Sequence, residues 1–313
     1  MPASASFCLL SHEGVLAVQG PDAAKFLQGQ LTCNLDYVDA QHGTLGARCT
    51  PKGRMLSSFR LIAHGDGYLL AMARELIEPQ LADLKKYAVF FKVQLSDVSE
   101  QWVRYGLCAG SDDLPLPAEQ MPPAEAGSLC SAGTVLTLRI EGGRIELWAP
   151  REQDETLHAQ LQNSLAAQPL SAWLLAQVRA GVGQVFGATR ELFIPQMINL
   201  QALGGVSFRK GCYAGQEIVA RMQYLGKLKR RMYRLALADG EPQPGAELFS
   251  PVHASSVGEV VLAAPAAHGQ ELLAVVQEDA VADGRLALGS VDGPALKVLE
   301  LPYQLDRDKE IQR

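Results

Sequence analysis

A β-hairpin followed by a helix occurs in both halves of the chain, and this pattern constrains the fold more than any other feature. The apolar residues of segment 43–73 follow the pattern of a β-meander, and those of 75–87 follow a helical spacing. In the second half, a hairpin across residues 135–148 precedes helices predicted at about 151–167 and 170–180. Strands with helices packed on one side of them are typical of the α+β class.

Shorter strands are predicted around these two segments. Strands are expected at 7–10 and 15–18, and Gly20-Pro21-Asp22 is expected to open a helix. Strands at 89–95 and 102–108 complete the first half. Towards the C-terminus, Gly and Pro turns separate short strands, which suggests a small β-barrel or sandwich. The predicted C-terminal strands are 233–237, 258–263, 271–276, 286–288 and 296–301.

These patterns divide the chain into three predicted domains. Residues 110–127 are rich in Pro, Ala, Asp and Glu and are typical of a surface connector. We therefore expect an N-terminal α+β unit at 1–110, a second α+β unit at 128–226 and a C-terminal β-barrel at 227–303. With 313 residues and 48% hydrophobic content, the chain is long enough for two or three compact units.

Composition also excludes several classes of function. The net charge is −6 and no long basic tract is present, which argues against strong nucleic-acid binding by the bare surface. The alternating charges of residues 224–234 favour a solvated strand face, with a tRNA-contacting patch as the alternative. No apolar run approaches the roughly 20 residues of a membrane helix, and residues 1–6 lack the features of a signal peptide.

The six cysteines are scattered along the chain and form no C-x-x-C pair. A disulfide framework and a zinc site are therefore not expected, and a reducing cytoplasm fits this usage best. The six histidines are equally dispersed, so the sequence predicts neither a metal site nor an iron–sulfur cluster held by this chain alone.

One of these cysteines, Cys212, lies in the most distinctive stretch of the sequence, residues 208–221. A strand-like run at 205–208 enters it, Arg209 and Lys210 precede the cysteine, and a helical pattern follows. Cations and unpaired helix N–H groups both favour a thiolate over a thiol, which predicts a reactive cysteine. Chemistry alone leaves a second interpretation open, in which Cys212 is a small buried apolar residue between two elements.

The segment Lys210-Gly211-Cys212-Tyr213-x-Gly215-Gln216-Glu217 resembles the signature of the YgfZ family of folate-binding proteins, which are relatives of the glycine-cleavage aminomethyltransferase. Further similar stretches extend the resemblance over nearly the whole chain: 52–55, 84–89, 194–208 and 301–303. The resemblance implies an aminomethyltransferase-like α+β fold, with two ferredoxin-like units of β-meander and helix and a C-terminal small β-barrel.

The resemblance also implies a ligand, tetrahydrofolate or a one-carbon derivative, in a cavity between the predicted α+β units. Cys212 and Lys210 are the candidate catalytic residues. The candidate folate-binding residues are Gln30, Arg54, Trp173, Asn199, Gln216 and Glu217. A flat indole such as that of Trp173 can cover an aromatic ring of the ligand, although the helical pattern also fits a core residue. Arg54 either faces the glutamate of the folate or is an ordinary turn charge.

Two positions depart from the family's pattern. A family tryptophan is replaced by Glu13, which leaves Trp173 as the aromatic wall carried over from the resemblance. A family aspartate two residues after Thr32 is replaced by Asn34, which argues against a role that requires a carboxylate there.

The function implied by the resemblance is that of an accessory protein for iron–sulfur cluster enzymes, including those that thiomethylate tRNA. Its expected partners are folate and iron–sulfur enzymes or their assembly proteins, and no association with a membrane is expected. Cys212 would then act as a nucleophile, a redox group or a transient carrier. Two alternatives remain open: a folate-dependent aminomethyltransferase, and an interaction protein whose vestigial folate pocket holds no ligand.

Overall fold

The computed structural model describes residues 5–109, 114–224 and 228–305. Parts of the predicted connector and of the charged stretch at 224–234 lie outside the described residues, as does the charged C-terminal end. The chain forms two compact units. Unit 1 comprises Met1–Gly29, Cys33–Gly46 and Phe59–Trp173, and unit 2 comprises Gln30–Thr32, Ala47–Ser58 and Leu174–Arg313. The three predicted domain ranges stay a prediction.

The first sheet has five strands in the order β3-β4-β5-β2-β6. Its strands are β2 (Glu13–Gln19), β3 (Thr44–Cys49), β4 (Met55–His64), β5 (Gly67–Ala73) and β6 (Gln94–Asp97). Helices α1 (Ala23–Gln28) and α2 (Ile77–Ala88) belong to the same part of the chain. In α2, Ile77, Gln80 and Leu84 are buried, which matches the helical spacing of its apolar face. The boundary between the units falls within β3 and β4.

The second sheet belongs to unit 1 and has six strands in the order β11-β1-β7-β10-β9-β8. Its strands are β1 (Ser6–Leu9), β7 (Trp102–Cys108), β8 (Leu129–Ala132), β9 (Val135–Arg139), β10 (Ile145–Pro150) and β11 (Ala166–Ala167). Side chains alternate between the two faces of a strand. One face supplies Val103, Tyr105, Ile145 and Leu147 to an apolar core that also contains Leu157 of helix α3 (Asp154–Ser164).

The opposite face of this sheet is polar yet buried. Arg104 and Gly106 of β7 lie on it beside Glu146 of β10, since Gly106 pairs directly with Glu146. Buried charges are rare in proteins unless they are paired, and Arg104 and Glu146 are paired with each other on this face.

Unit 2 contains a closed β-barrel with the strand order β12-β15-β14-β13-β16-β17. The strands are β12 (Arg230–Leu237), β13 (Glu247–Phe249), β14 (Gly258–Pro265), β15 (Gln270–Gln277), β16 (Leu286–Leu288) and β17 (Ala295–Leu299). Helices α4 (Leu170–Arg179) and α5 (Gln216–Tyr224) precede the barrel, and α6 (Glu278–Asp283) lies between β15 and β16. The predicted α+β class and the predicted C-terminal barrel are confirmed.

Several predicted elements are wrong in detail. Residues 205–208 form no strand, because their backbone N–H groups bond to loop and turn carbonyls: the Gly205 N–H donates to the Leu200 carbonyl and the Ser207 N–H to the Thr32 carbonyl. The strand predicted at 89–95 is reduced to β6, which begins only where Gln94 can pair with Gln19. The helix predicted at 151–167 is the shorter α3, while β13 and α6 were not predicted.

Candidate functional site

Cys212 lies on an exposed loop of unit 2 between residue 205 and the start of α5. The neighbouring Lys210 is 9% exposed, and its Nζ donates a hydrogen bond of 2.8 Å to the Leu31 carbonyl. The same Nζ lies 5.2 Å from the ring centroid of Tyr213, which is also buried. Lys210 and Tyr213 therefore anchor the loop on either side of the exposed thiol, and the interpretation of Cys212 as a buried apolar residue is wrong.

Two glycines bring this loop against the turn that precedes β4. Gly215 has a φ of 84°, and a Cβ at this position would lie 2.4 Å from the Thr50 carbonyl oxygen. Gly53 has a φ of 71°, and a Cβ there would lie 3.0 Å from the Cβ of Ile218 in α5. Both glycines are required because the backbone conformation is left-handed and no space remains for a side chain.

The predicted binding residues Arg54, Gln216 and Glu217 lie at this junction. Arg54 follows Gly53 and is exposed, and its Nη1 donates to the Leu192 carbonyl. Gln216 opens α5, and its backbone N–H donates to the Tyr213 carbonyl at 3.1 Å. The helix predicted after the motif is thus confirmed. Within unit 2, Arg54 and Gln216 lie in adjoining turns, because each follows one of the two glycines that pack together.

Gln30 and Asn199, also in unit 2, each carry a buried amide oxygen without a hydrogen-bond partner in the described part of the chain. Asn199 is fully buried in a left-handed conformation with φ 58°, and its Nδ2 donates to the Met232 carbonyl at 3.1 Å. Buried acceptors without partners are unfavourable, so both oxygens suit a ligand that is rich in N–H groups. A pterin ring system has such groups.

Thr32 is a structural residue of this site that the sequence interpretation missed. Its Oγ1 donates to the Gly205 carbonyl at 2.7 Å and accepts from the Ala47 N–H at 2.9 Å. The Thr32 carbonyl also accepts from the Ser207 N–H. Thr32 therefore fixes the entry to the Cys212 loop. A signal is present in residues 27–32, where Gln28, Gln30 and Thr32 alternate with glycine and leucine and the threonine is fully buried.

Trp173 lies in unit 1 and is only 3% exposed. Its six-membered ring covers Gly106 of β7, where a Cβ would lie 2.5 Å from the indole Cε3. The guanidinium carbon of Arg144 lies 4.4 Å from the indole ring centroid. The structure thus gives Trp173 a packing role on the polar face of the second sheet, and its contact with folate stays a prediction.

The same face of unit 1 holds a buried network of charges. Arg104 bonds to the carboxylates of both Glu13 and Glu146, and Arg60 bonds to Glu141. Burial alone would raise the pKa of Glu13, but the charge and hydrogen bond of Arg104 outweigh it and lower this pKa to about 2. Glu13 is therefore part of an ion-pair network.

Asn34, the second departure from the family's pattern, has a local structural role in unit 1. Its Oδ1 accepts from Gln28 Nε2 at 2.5 Å and from the Asp36 N–H at 3.2 Å, which caps a 3₁₀ turn at Leu35–Tyr37. An amide serves this purpose as well as a carboxylate does.

Two pockets within unit 1 lie away from the predicted site residues. One has a volume of about 470 Å³ and includes His64, Trp102 and Arg151 in its lining. The other has a volume of about 190 Å³ and is lined in part by Glu13 and Arg104. No group of three or more His, Cys, Asp or Glu side chains within residues 5–109, 114–224 and 228–305 could hold a metal ion.

No helix in the described ranges is long and apolar enough to cross a membrane.

Comparison with solved structures defines the class of fold. The glycine cleavage system aminomethyltransferase T of Bartonella henselae matches with a TM-score of 0.70 and 18% sequence identity, covering 96% of this chain and 86% of that chain. The chain therefore has the aminomethyltransferase fold, which confirms the predicted fold class. No protein-family model matches the chain.

Curated relatives define the family. A protein of Pectobacterium carotovorum named tRNA-modifying protein YgfZ is 35% identical to this chain, and the match covers 91% of this chain and 88% of the relative. A protein of the same name from Yersinia pseudotuberculosis is 34% identical, and the match covers 96% of this chain and 93% of the relative. A Cronobacter sakazakii relative of the same name is 33% identical, and the match covers 95% of this chain and 92% of the relative. The chain belongs to the YgfZ family, as the Cys212 motif predicted.

Proposed function

We propose that this protein binds tetrahydrofolate or a one-carbon derivative and supports the assembly or repair of iron–sulfur enzymes, including enzymes that thiomethylate tRNA. Cys212 is the functional thiol. The partners of the protein are iron–sulfur enzymes or their assembly proteins, and the protein is located in the cytoplasm. The proposal is supported by relatives that are named tRNA-modifying proteins and by a fold shared with an aminomethyltransferase.

The observation that carries the proposal is the exposure of Cys212 on a loop that is anchored at both ends. Lys210 and Gly215 hold the backbone on either side, so the thiol is presented at a defined position. A cysteine with only a packing role would not need an anchored, solvent-exposed loop, because free cysteines are usually buried when they are structural.

The folate would be held in unit 2 by the acceptor oxygens of Gln30 and Asn199, with Arg54 as a cation for its glutamate carboxylates and Gln216 and Glu217 as polar groups at the start of α5. Bound there, folate would supply a carrier for one-carbon groups. Lys210 is proposed to act through the loop, because its Nζ is bonded to a backbone carbonyl.

The thiol is tested by complementation in cells that lack the protein, with the activity of a tRNA-thiomethylating iron–sulfur enzyme as the measurement. Cys212→Ser is nearly isosteric, so the folded protein should persist while the enzyme's activity is lost. Cys130→Ser is the matched control, since Cys130 is a partly exposed cysteine whose Sγ donates to the Glu119 carbonyl. Full complementation by Cys212→Ser would overturn the functional role of the thiol.

Folate binding is tested by anaerobic calorimetry with tetrahydrofolate on the purified protein. Trp173→Ala is expected to weaken binding by roughly 1–3 kcal/mol, the scale of a lost aromatic stacking contact. Because Trp173 also packs on Gly106, circular dichroism must first show that the variant is folded. An unchanged affinity in the folded variant would reduce Trp173 to a core residue.

A further inference from the structure

The larger pocket of unit 1, with a volume of about 470 Å³, takes no part in the proposed function. Its volume falls within the range of about 300–1,000 Å³ that is usual for small-molecule sites. One side of the pocket is formed by a face of the first sheet, and the other by Trp102 and Pro150, where β7 begins and β10 ends. All of its lining residues belong to unit 1, so the pocket is complete within that unit.

Strand register explains why the first sheet is hollow at this place. His64 of β4 and Gln19 of β2 pair with Gly67 of β5 from its two sides. Directly paired residues share a face of a sheet, so the imidazole and the amide lie in one row with the glycine between them. Glycine leaves the space between these two side chains open. A Cβ at Gly67 would lie 2.1 Å from the Val18 carbonyl oxygen, so the strand pairing requires glycine here.

Apolar and aromatic side chains form the floor and one wall of the pocket. Ala17 and Leu69 pair directly, occupy the next row of the same face and are buried. The rings of His64 and Trp102 meet edge to face, with centroids 4.9 Å apart and an interplanar angle of 89°. This contact holds the imidazole in one orientation beside the open space. A flat, apolar ring is the kind of group that such walls bind.

The two polar side chains of this row have open hydrogen-bonding capacity. Neither the Gln19 amide nor the His64 ring forms a hydrogen bond with another residue that the structure describes. Burial lowers the pKa of the His64 imidazole from its ordinary value of 6.5, so near pH 7 the ring is neutral, with one donor and one acceptor nitrogen. A carboxamide likewise offers a donor beside an acceptor. Both side chains match a ligand edge that carries a donor next to an acceptor.

The charges in the lining select against an anionic ligand. Arg151 is already engaged, since its Nη1 donates to Asp154 at 3.1 Å and its Nη2 donates to the Trp102 carbonyl at 3.2 Å. The next residue, Glu152, also lines the pocket and carries the opposite charge. With His64 neutral, the formal charges of the lining cancel, so an uncharged ligand is favoured over one with phosphate or carboxylate groups.

We propose that this pocket binds the base of an adenine nucleoside, with the Gln19 amide and the His64 ring at the polar edge of the purine. Adenine carries an amino donor beside a ring-nitrogen acceptor, and a glutamine amide recognises this edge with two hydrogen bonds. Adenosine is flat at its base and uncharged, which meets the requirements of the walls and of the lining. Free adenosine and an unstacked adenosine of an RNA strand present the same chemistry. The inference does not depend on folate binding.

Calorimetry of the purified full chain with adenosine tests this proposal, and a dissociation constant below about 1 mM is expected. Gln19→Met and His64→Phe should each weaken binding by about tenfold, because each removes hydrogen bonds to the base while keeping a side chain of similar size. His64→Phe also keeps a ring against Trp102. Gln270→Met is the matched control, since Gln270 is a strand glutamine of unit 2 and its loss should leave the affinity unchanged. Thermal midpoints verify that each variant is folded.

The indole N–H signals of the three tryptophans in an NMR spectrum locate the bound adenosine. The signal that is absent in Trp102→Phe should shift when adenosine is added to the unaltered protein. Adenosine monophosphate should bind more weakly than adenosine, because its phosphate meets no free cation in the lining. An oligoadenylate that binds more tightly than adenosine identifies RNA as the source of the base, and one that binds equally or more weakly identifies the free nucleoside.

Four results would each overturn the proposal. These are a dissociation constant for adenosine above about 1 mM, an affinity within about threefold of the unaltered protein in folded Gln19→Met or His64→Phe, tighter binding of adenosine monophosphate than of adenosine, and an unshifted Trp102 signal. Displacement of adenosine by tetrahydrofolate would also contradict it, because the two ligands would then share a site.

Discussion

At the scale of single residues, the cysteines differ in burial. Cys8, Cys33 and Cys49 are buried, whereas Cys212 is exposed. Burial raises the pKa of both the Cys8 and Cys49 thiols to about 12, so almost none of either is thiolate near neutral pH. Thiol chemistry needs both the thiolate and access to it; Cys8 and Cys49 meet neither requirement, whereas Cys212 is accessible.

We therefore expect Cys212 to react fastest of the six cysteines with iodoacetamide near neutral pH. Cys108 should lag because burial raises the pKa of its thiol, and Cys8 and Cys49 should react only on unfolding. Peptide mass spectrometry over a time course measures all six rates in one experiment. The same series with tetrahydrofolate should change the rate of Cys212. A slower Cys212 than Cys108 would contradict this prediction.

Substitution of the two glycines that flank Cys212 should affect stability to different extents. Gly215→Ala should cost about 1–3 kcal/mol, because it places a Cβ against the Thr50 carbonyl in a left-handed conformation. Gly211→Ala is the control, since a Cβ there meets nothing within 4 Å and should change stability by less than about 0.5 kcal/mol. Urea unfolding midpoints measure the difference. Equal midpoints for the two variants would mean that the loop does not pack against the turn at 50–53.

At the scale of elements, the second sheet uses its two faces differently. The face toward α3 is apolar, and the opposite face buries the charges of β7 and β10. Trp148 on that face donates from Nε1 to Glu146 at 3.2 Å and lies 4.1 Å from the Arg104 guanidinium. Such a network stabilises the fold only while its carboxylates are ionised.

This network predicts a loss of stability in acid. The pKa of Glu13 is about 2 in the folded protein and 4.5 as the ordinary value, so its contribution is complete above pH 4.5 and is lost as the pH falls toward 2. Glu13→Gln should lower the free energy of unfolding at pH 7 by about 1–3 kcal/mol. The difference in the free energy of unfolding between this variant and the unaltered protein should shrink below pH 4.5.

Unfolding followed by circular dichroism from pH 7 to pH 2 measures this effect. Glu119→Gln, which removes an exposed carboxylate of unit 1, is the control and should follow the unaltered protein throughout. A Glu13→Gln deficit that is constant over the whole range would show that the carboxylate contributes by hydrogen bonding rather than by charge.

At the scale of the whole molecule, the fold is retained at low sequence identity. The aminomethyltransferase T of Bartonella henselae shares 18% of its residues with this chain yet superposes with a TM-score of 0.70. A hydrophobic core tolerates many substitutions when the total volume of its side chains and the pattern of polar and apolar residues are kept. Function depends on individual side chains, which is why shared fold alone does not transfer an activity.

The purified protein should bind neither zinc nor an iron–sulfur cluster in stoichiometric amounts. Its cysteines are dispersed in the sequence, and no group of three or more ligating side chains is assembled in the described part of either unit. Elemental analysis after anaerobic purification is the measurement. A tightly held metal at one ion or more per chain would contradict this prediction.

Local sequence patterns were sufficient to predict the family and several of the strands and helices. Strand β7 begins and ends where its apolar pattern predicted, and α5 follows the cysteine motif as expected, because these features depend on residues close together in the chain. The motif around Cys212 identified the family for a similar reason: consecutive residues carry it.

The contacts that fix the site join residues far apart in the sequence, so they are seen only in the folded structure. Thr32 bonds to Gly205, and Arg104 bonds to Glu13 and Glu146, across long separations in sequence. The exposure of Cys212 has no local signal, because burial depends on which distant segments pack together. Residues 205–208 illustrate the same limit: their pattern favours a strand, but a strand forms only where another strand offers its backbone groups.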